Sequence, residues 1–339
     1  MIRRSLHGRG TGKQKRANLP KATSSHANKA GAWKEAIRNK LEDDRFNDAT
    51  IVCSDGKSIR CQSFMLRVHS DVLDEMWNNR EEDTVEAPKF RSTVMARIKE
   101  YCHLGEVTKL NDATELNCVD AAAEMHDVMD TVIAADYYNI DGLGDKCLEF
   151  VRSLVNEHLN LVFLIAAKYG LNYENEHRTV VKATIHIART KLCKYRRDHL
   201  NHPSIRAATS VQDTDTLRTI VKLLPFNTTC PLLRFQFLEK WMILSSETFE
   251  GKEKAPETES LTKRLVKEME LLKHIGAMCP RYLVAKDGPL RSSVLVDAEA
   301  LVEAIDASPL EQQCRMFQEK EAADKGEDSV VPVVEEVWC

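Results

Sequence analysis

The chain has 339 residues, of which 43% are hydrophobic and 29% are charged, and this length suffices for about two domains. Its longest uninterrupted apolar run, residues 161–167, is far shorter than the ~18 residues of a membrane-spanning helix. The first residues also lack the apolar core of a secretory signal. We therefore expect neither a membrane protein nor a secreted one.

The ten cysteines are scattered along the chain and include no Cys-x-x-Cys pair. This pattern is typical of reduced thiols that pack as small apolar side chains, and not of a disulfide framework or a zinc site. The sequence therefore predicts a reducing compartment, which is the cytoplasm or the nucleus.

Charge is distributed unevenly between the start of the chain and the rest. The 48 basic and 52 acidic residues include eight basic and no acidic residue within residues 1–31, which leaves 40 basic against 52 acidic residues, a net charge of −12, in the other 308. We predict that residues 1–31 form a disordered basic arm. Within it, Lys13, Lys15 and Arg16 resemble a short nuclear-localisation cluster, and a plain solvated tail is the alternative.

The first ordered element is predicted to be a helix, because Trp33, Ile37 and Leu41 recur every four residues on one face. Two β-branched runs follow, at residues 49–53 and 58–61, and an Asp-Gly turn separates them. Such a turn between two strand-like runs is a strong signal for a β-hairpin. The sequence therefore predicts a helix followed by a two-stranded hairpin.

The next segments alternate between helical and strand patterns. Helical spacing follows at once, so we predict a pair of helices over the segment that contains Phe64, Met65, Val68, Val72 and Met76. Further predictions are a short strand at 84–87, a helix at 92–101, a loop at 105–127, and helices at 128–138 and 144–156. From residue 157 onward only helical patterns remain.

Four short motifs, in this order along the chain, resemble those of the BTB/POZ domain family. They are Phe46-Asn-Asp48 before the first strand, Leu66-Arg-Val-His-Ser70, Tyr101-Cys-His-Leu-Gly105, and Ala134-Ala-Asp-Tyr-Tyr-Asn-Ile-Asp-Gly-Leu143. The resemblance, which is strongest to fungal BTB proteins, implies an α+β BTB/POZ-like domain over residues 32–152. An all-α helical region would follow at 153–323, and an acidic disordered tail at 324–339.

The resemblance also implies a function and its residues. A BTB-like protein is expected to be a non-enzymatic scaffold or adaptor that binds protein partners or a second copy of itself. The candidate partner-binding residues are Trp33, Leu41, Asp48, Trp77, Glu81 and Glu82. Trp33 and Leu41 would form a dimer face, whereas Trp77 is either an exposed aromatic beside the acids or a core residue.

Two departures from the family pattern bear on the choice of partner. Ser63 stands where dimeric members carry a basic residue facing the position of Asp48, so their charged pocket is not expected here. Cullin-binding members carry an apolar anchor where this chain has Arg80, beside Glu81 and Glu82. The missing anchor argues against cullin binding, so a cullin-dependent ubiquitin-ligase adaptor is the alternative function and not the leading one.

Catalytic and metal sites are not predicted. Ser70 follows His69 without the surroundings of a nucleophile, and it is better explained as a helix cap. Cys193, His199 and His202 offer three metal ligands without an evident fourth. No phosphate-binding glycine motif lies between a strand and a helix, so no cofactor is expected.

A basic stripe marks the second half of the chain. Arg178, Lys182, His186 and Arg189 fall on one face of a predicted helix. Such a stripe can bind nucleic acid or an acidic partner, or it can pair with acidic residues of the same chain. A nucleic-acid-associated regulator is the second alternative function.

Overall fold

The computed structural model describes most of the chain between residues 32 and 308. The described residues are 32, 34–40, 44–78, 83–110, 116–172, 179–226, 232–248, 255–278, 290, 293, 295–296, 298–306 and 308. The predicted basic arm with Lys13, Lys15 and Arg16, and the predicted acidic tail, lie outside these residues.

A small mixed sheet lies at the start of the fold. Strands β1 and β2 form the predicted antiparallel hairpin, whose turn contains Gly56 at a φ of 72°, a left-handed conformation that glycine adopts without strain. A third strand pairs with β1 in parallel, so that the order in the sheet is β2-β1-β3. The strands are β1 (Ala49–Cys53), β2 (Ser58–Cys61) and β3 (Thr84–Ala87).

Among the described residues, six α-helices belong to the same part of the chain as the sheet. They are α1 (34–40), α2 (Ser63–His69), α3 (Asp71–Asn78), α4 (Ser92–Leu104), α5 (Cys118–Tyr137) and α6 (Leu143–Glu157). Gly142 starts α6 at a φ of 77°. A Cβ atom there would lie 2.6 Å from the Tyr101 hydroxyl, which donates a hydrogen bond to the Asp141 carbonyl at 2.9 Å. Glycine is therefore required at this turn.

The loop predicted at 105–127 is wrong for residues 118–127, because α5 begins at Cys118. The side chain of Asn117 caps this helix by accepting hydrogen bonds from the backbone N–H groups of Val119 and Asp120. The acidic residues that obscured the helical pattern pair with basic residues of neighbouring segments, as in the 2.6 Å contact between Glu124 and Arg97. Acidic residues that suggest a loop when only the local sequence is considered are thus compatible with a helix, because they form ion pairs with other segments of the fold.

The helix pair predicted over this segment is confirmed, but its helical spacing does not reveal which side chains are buried. The segment forms two helices that meet at Ser70, and the buried side chains are Leu66, Leu73 and Trp77. The side chains of Phe64 and Val68 are 68% and 65% exposed. Because the chain turns at Ser70, one helical period cannot run through both helices.

Ser70 has a structural role. Its hydroxyl donates to the Tyr138 carbonyl at 2.5 Å and accepts from the backbone N–H of Leu73 at 3.1 Å. It therefore caps α3 and links it to the end of α5, which confirms that Ser70 is a helix cap.

The second half of the described chain contains helices and no strand. The helices are α7 (Val162–Tyr169), α8 (Thr179–Leu192), α9 (Thr214–Leu223), α10 (Leu233–Thr248), α11 (Ala255–Glu268), α12 (Leu271–Met278) and α13 (Ala298–Asp306). This confirms the predicted α+β domain followed by a helical region. Across the described residues, no helix is long and apolar enough to span a bilayer.

The helical region packs directly on the first part of the fold. The Tyr169 hydroxyl donates to the Met129 carbonyl at 2.9 Å, and the side chain of Lys168 pairs with Asp130. The buried apolar side chains of both parts form one continuous core. Helix α6 runs across the boundary that we predicted after residue 152.

Candidate interaction surface

Helix α2 carries two large apolar side chains on its solvent side. Phe64 and Val68 are four residues apart and therefore lie on the same face of the helix. The opposite side of α2 is held in the fold, because Leu66 is fully buried and the Arg67 guanidinium contacts Asp74 at 2.5 Å. We call Phe64 and Val68 the α2 face.

Asp48 holds the start of α2 in place. Its two carboxylate oxygens accept hydrogen bonds from the Ser63 backbone N–H at 2.7 Å and from the Ser63 hydroxyl at 2.9 Å. A carboxylate at a helix N-terminus is favourable, because it satisfies a free N–H group and opposes the helix dipole. Asp48 thus anchors α2 through Ser63, where the family pattern would place a basic side chain.

Another exposed aromatic lies close in the chain to this anchor. Phe46 precedes Asp48 by two residues, and its side chain is exposed. The ammonium group of Lys40, at the end of α1, lies 4.7 Å from the centre of the Phe46 ring. An exposed aromatic with a neighbouring cation therefore stands next to the segment that anchors the α2 face.

Helix α1 contacts its own chain. Lys34 and Arg38 approach the Glu106 carboxylate at 2.5 and 3.7 Å, and Arg38 also contacts the Thr108 hydroxyl at 3.2 Å. These contacts support packing of α1 on the segment that follows α4. Trp33 and Leu41, the predicted dimer-face residues, lie outside the described residues.

Trp77 belongs to the core. Its side chain is 7% exposed, so its assignment to an exposed partner-binding edge is wrong. Glu81, Glu82 and Arg80 lie outside the described residues. The cullin-adaptor alternative, which depends on that segment, stays a prediction.

The residues of the basic stripe predicted for α8 have different roles in the structure. Arg189 donates to the Leu171 carbonyl at 2.7 Å and so supports the fold, whereas Lys182 and His186 are exposed. Arg178 lies outside the described residues. The nucleic-acid alternative also stays a prediction.

The histidines considered as metal ligands take part in local turns. His199 Nδ1 accepts from the Arg196 backbone N–H at 2.9 Å, and His202 Nδ1 lies 2.6 Å from the Ser204 hydroxyl. In the part of the chain that the structure describes, no three His, Cys, Asp or Glu side chains are placed to hold a metal ion.

Four thiols are buried in the core of the first part of the fold. Burial is the main cause that raises the pKa of Cys53 to about 11, and it raises the pKa values of Cys61, Cys102 and Cys147 to about 12. Since only thiolates are strong nucleophiles, we expect these cysteines to be unreactive in the folded protein.

We expect iodoacetamide at pH 8 to alkylate the exposed Cys193 while Cys53, Cys61, Cys102 and Cys147 stay unmodified until the protein unfolds. Burial denies the reagent access and the raised pKa values keep the four thiols protonated. Peptide mass spectrometry over a time course measures this order. Alkylation of Cys147 as fast as that of Cys193 in the folded protein would contradict it.

Comparison with known families identifies the first part of the fold. Residues 38–154, from within α1 to within α6, match the family model of the BTB/POZ domain. No curated protein matches the chain significantly.

Proposed function

Since residues 38–154 form a BTB/POZ domain, a module of protein–protein interaction, we propose that the protein is a non-enzymatic scaffold or adaptor that self-associates through the α2 face. The observation that carries the proposal is the exposure of Phe64 and Val68 on one side of α2. The opposite side of that helix is already packed in the core. The partner on the α2 face is a second copy of the chain.

The gain from covering this face is substantial. Burying a phenylalanine or valine side chain fully contributes about 1.5–3 kcal/mol, so side chains that are two-thirds exposed offer about 1–2 kcal/mol each. In a two-fold symmetric dimer each of these residues occurs twice in the interface. The four side chains then contribute about 4–8 kcal/mol before the entropic cost of association, and exposed Phe46 is available to add to this.

Substituting Phe64→Asp in the full chain is expected to raise the dimer dissociation constant about 100-fold. The change removes two apolar contacts and places two carboxylates in one interface, a combined cost of about 2.7 kcal/mol. Light scattering coupled to size-exclusion chromatography over a concentration series measures this constant. Circular dichroism checks that the variant is folded, as expected for an exposed position.

A matched pair of valines provides the control. Val68→Asp is expected to weaken the dimer, whereas Val119→Asp is not, although Val119 is also strongly exposed. Val119 lies in the first turn of α5, where an added carboxylate is favourable for the helix. A chain that stays monomeric at micromolar concentration, or a dimer that is insensitive to Phe64→Asp and Val68→Asp, would refute the proposal.

A further inference from the structure

Helices α6 and α8 lie side by side and run in the same direction. Near their starts, a Cβ atom on Gly144 would lie 3.2 Å from a methyl group of Val180. Near their ends, the side chains of Lys191 and Asn156 are hydrogen-bonded. A depression of about 580 Å³ between the helices is lined by Arg152, Lys182, Ala183, His186 and Ile187.

The depression combines basic side chains with an apolar wall. Arg152 and Lys182 are exposed, and neither forms an ion pair with any residue that the structure describes. The carboxylate of Glu149, on the same helix as Arg152, lines a different depression beside Lys146. Among the residues that the structure describes, no acidic side chain lines the α6–α8 depression. It is therefore a basic site on a body that is acidic overall.

We propose that this depression docks the chain's own C-terminal segment, residues 327–338. The segment reads Glu-Asp-Ser-Val-Val-Pro-Val-Val-Glu-Glu-Val-Trp, with four carboxylates and no basic residue. Its carboxylates complement Arg152 and Lys182, and its valines complement the apolar wall of Ala183 and Ile187. This one short segment therefore matches the depression in both charge and hydrophobicity.

The segment can reach the depression. Twenty residues separate the end of α13 at Asp306 from Glu327, and they span up to ~66 Å when extended. A body of ~300 residues has a radius of gyration of ~19 Å and hence a diameter of ~50 Å. Docking is therefore feasible within one chain or between two copies.

A peptide fits this site better than a nucleic acid does. A polyphosphate would extend beyond Arg152 and Lys182 onto a chain whose residues 32–339 carry a net charge of −12, and repulsion acts within a Debye length of ~8 Å at physiological salt. Proteins that bind single-stranded nucleic acids also use exposed aromatic side chains, on which the bases stack. Tyr195, the described aromatic closest in sequence to the end of α8, is buried.

The test is zero-length cross-linking of the intact chain with a carbodiimide, which joins lysine amines to carboxylates in contact. We expect cross-links from Lys182 to Glu335 or Glu336, identified by mass spectrometry. Arg152→Glu is expected to lower their yield about fivefold, since one attractive contact becomes repulsive. High salt is also expected to lower the yield of these cross-links, because it screens the attraction between the basic side chains and the carboxylates.

Lys146 provides the matched control, because it is an exposed lysine of α6 that lines the other depression. It should show no enrichment of cross-links to the C-terminal segment. Absence of the Lys182 cross-links, or equal yields at Lys182 and Lys146, would overturn the proposal. An oligonucleotide that binds in an Arg152- and Lys182-dependent manner, without these cross-links, would overturn it in favour of nucleic acid.

Discussion

Replacing Asn160 by leucine is expected to lower the free energy of unfolding by about 4 kcal/mol, because three polar groups in or beside the core each lose a hydrogen bond. The side-chain NH2 group of Asn160 donates to the His199 carbonyl at 3.0 Å and to the Ser204 hydroxyl at 2.9 Å. Its amide oxygen accepts from the Tyr195 hydroxyl at 2.5 Å. Asn160 and Tyr195 are each 1% exposed, so water cannot replace these bonds without a rearrangement.

Urea unfolding followed by far-UV circular dichroism measures this effect. Asn201→Leu is the matched control, since Asn201 lies between the two partners His199 and Ser204 in the chain but is exposed. The control is expected to change the free energy of unfolding by less than about 0.5 kcal/mol. A loss below about 1 kcal/mol for Asn160→Leu would show that the three groups find other partners.

Replacing Glu124 by leucine is expected to destabilise the protein by about 3 kcal/mol. Glu124 pairs at 2.6 Å with Arg97, whose side chain is almost fully buried. Removing the carboxylate leaves the guanidinium group in the core, where the Thr131 hydroxyl at 3.5 Å is a poor substitute. Breaking a buried ion pair from one side is costly because the remaining charge is desolvated without compensation.

The double variant Arg97→Met with Glu124→Leu distinguishes the cost of leaving Arg97 buried without a partner from the net contribution of the ion pair to stability. It is expected to recover most of the lost stability, because two apolar side chains replace both charges. Glu259→Ala, which breaks the exposed pair of Glu259 and Lys263 at 2.8 Å, is the control and should cost about 0.3–0.5 kcal/mol. A double variant as unstable as Glu124→Leu alone would mean that packing, not the unpaired charge, dominates.

Local sequence determined the elements whose signals lie within a few residues of one another. The β1–β2 hairpin depends on an Asp-Gly turn between two β-branched runs, and that signal is complete in about a dozen residues. The BTB/POZ motifs, above all Ala134–Leu143, depend on side chains near one turn, where Gly142 has to be glycine. The helical character of the described second half is likewise evident from the spacing of its apolar residues.

Tertiary structure alone decided which faces are buried and which charges are paired. Helix α5 starts ten residues before its predicted start because the acids Glu124 and Asp127 meet Arg97 and Arg91 from other segments. Phe64 lies outside the core although it shares the helical spacing of its neighbours, because spacing alone does not tell which side of a short helix packs on the rest of the fold. The α2 face and the α6–α8 depression therefore became visible only when residues far apart in the chain were brought together.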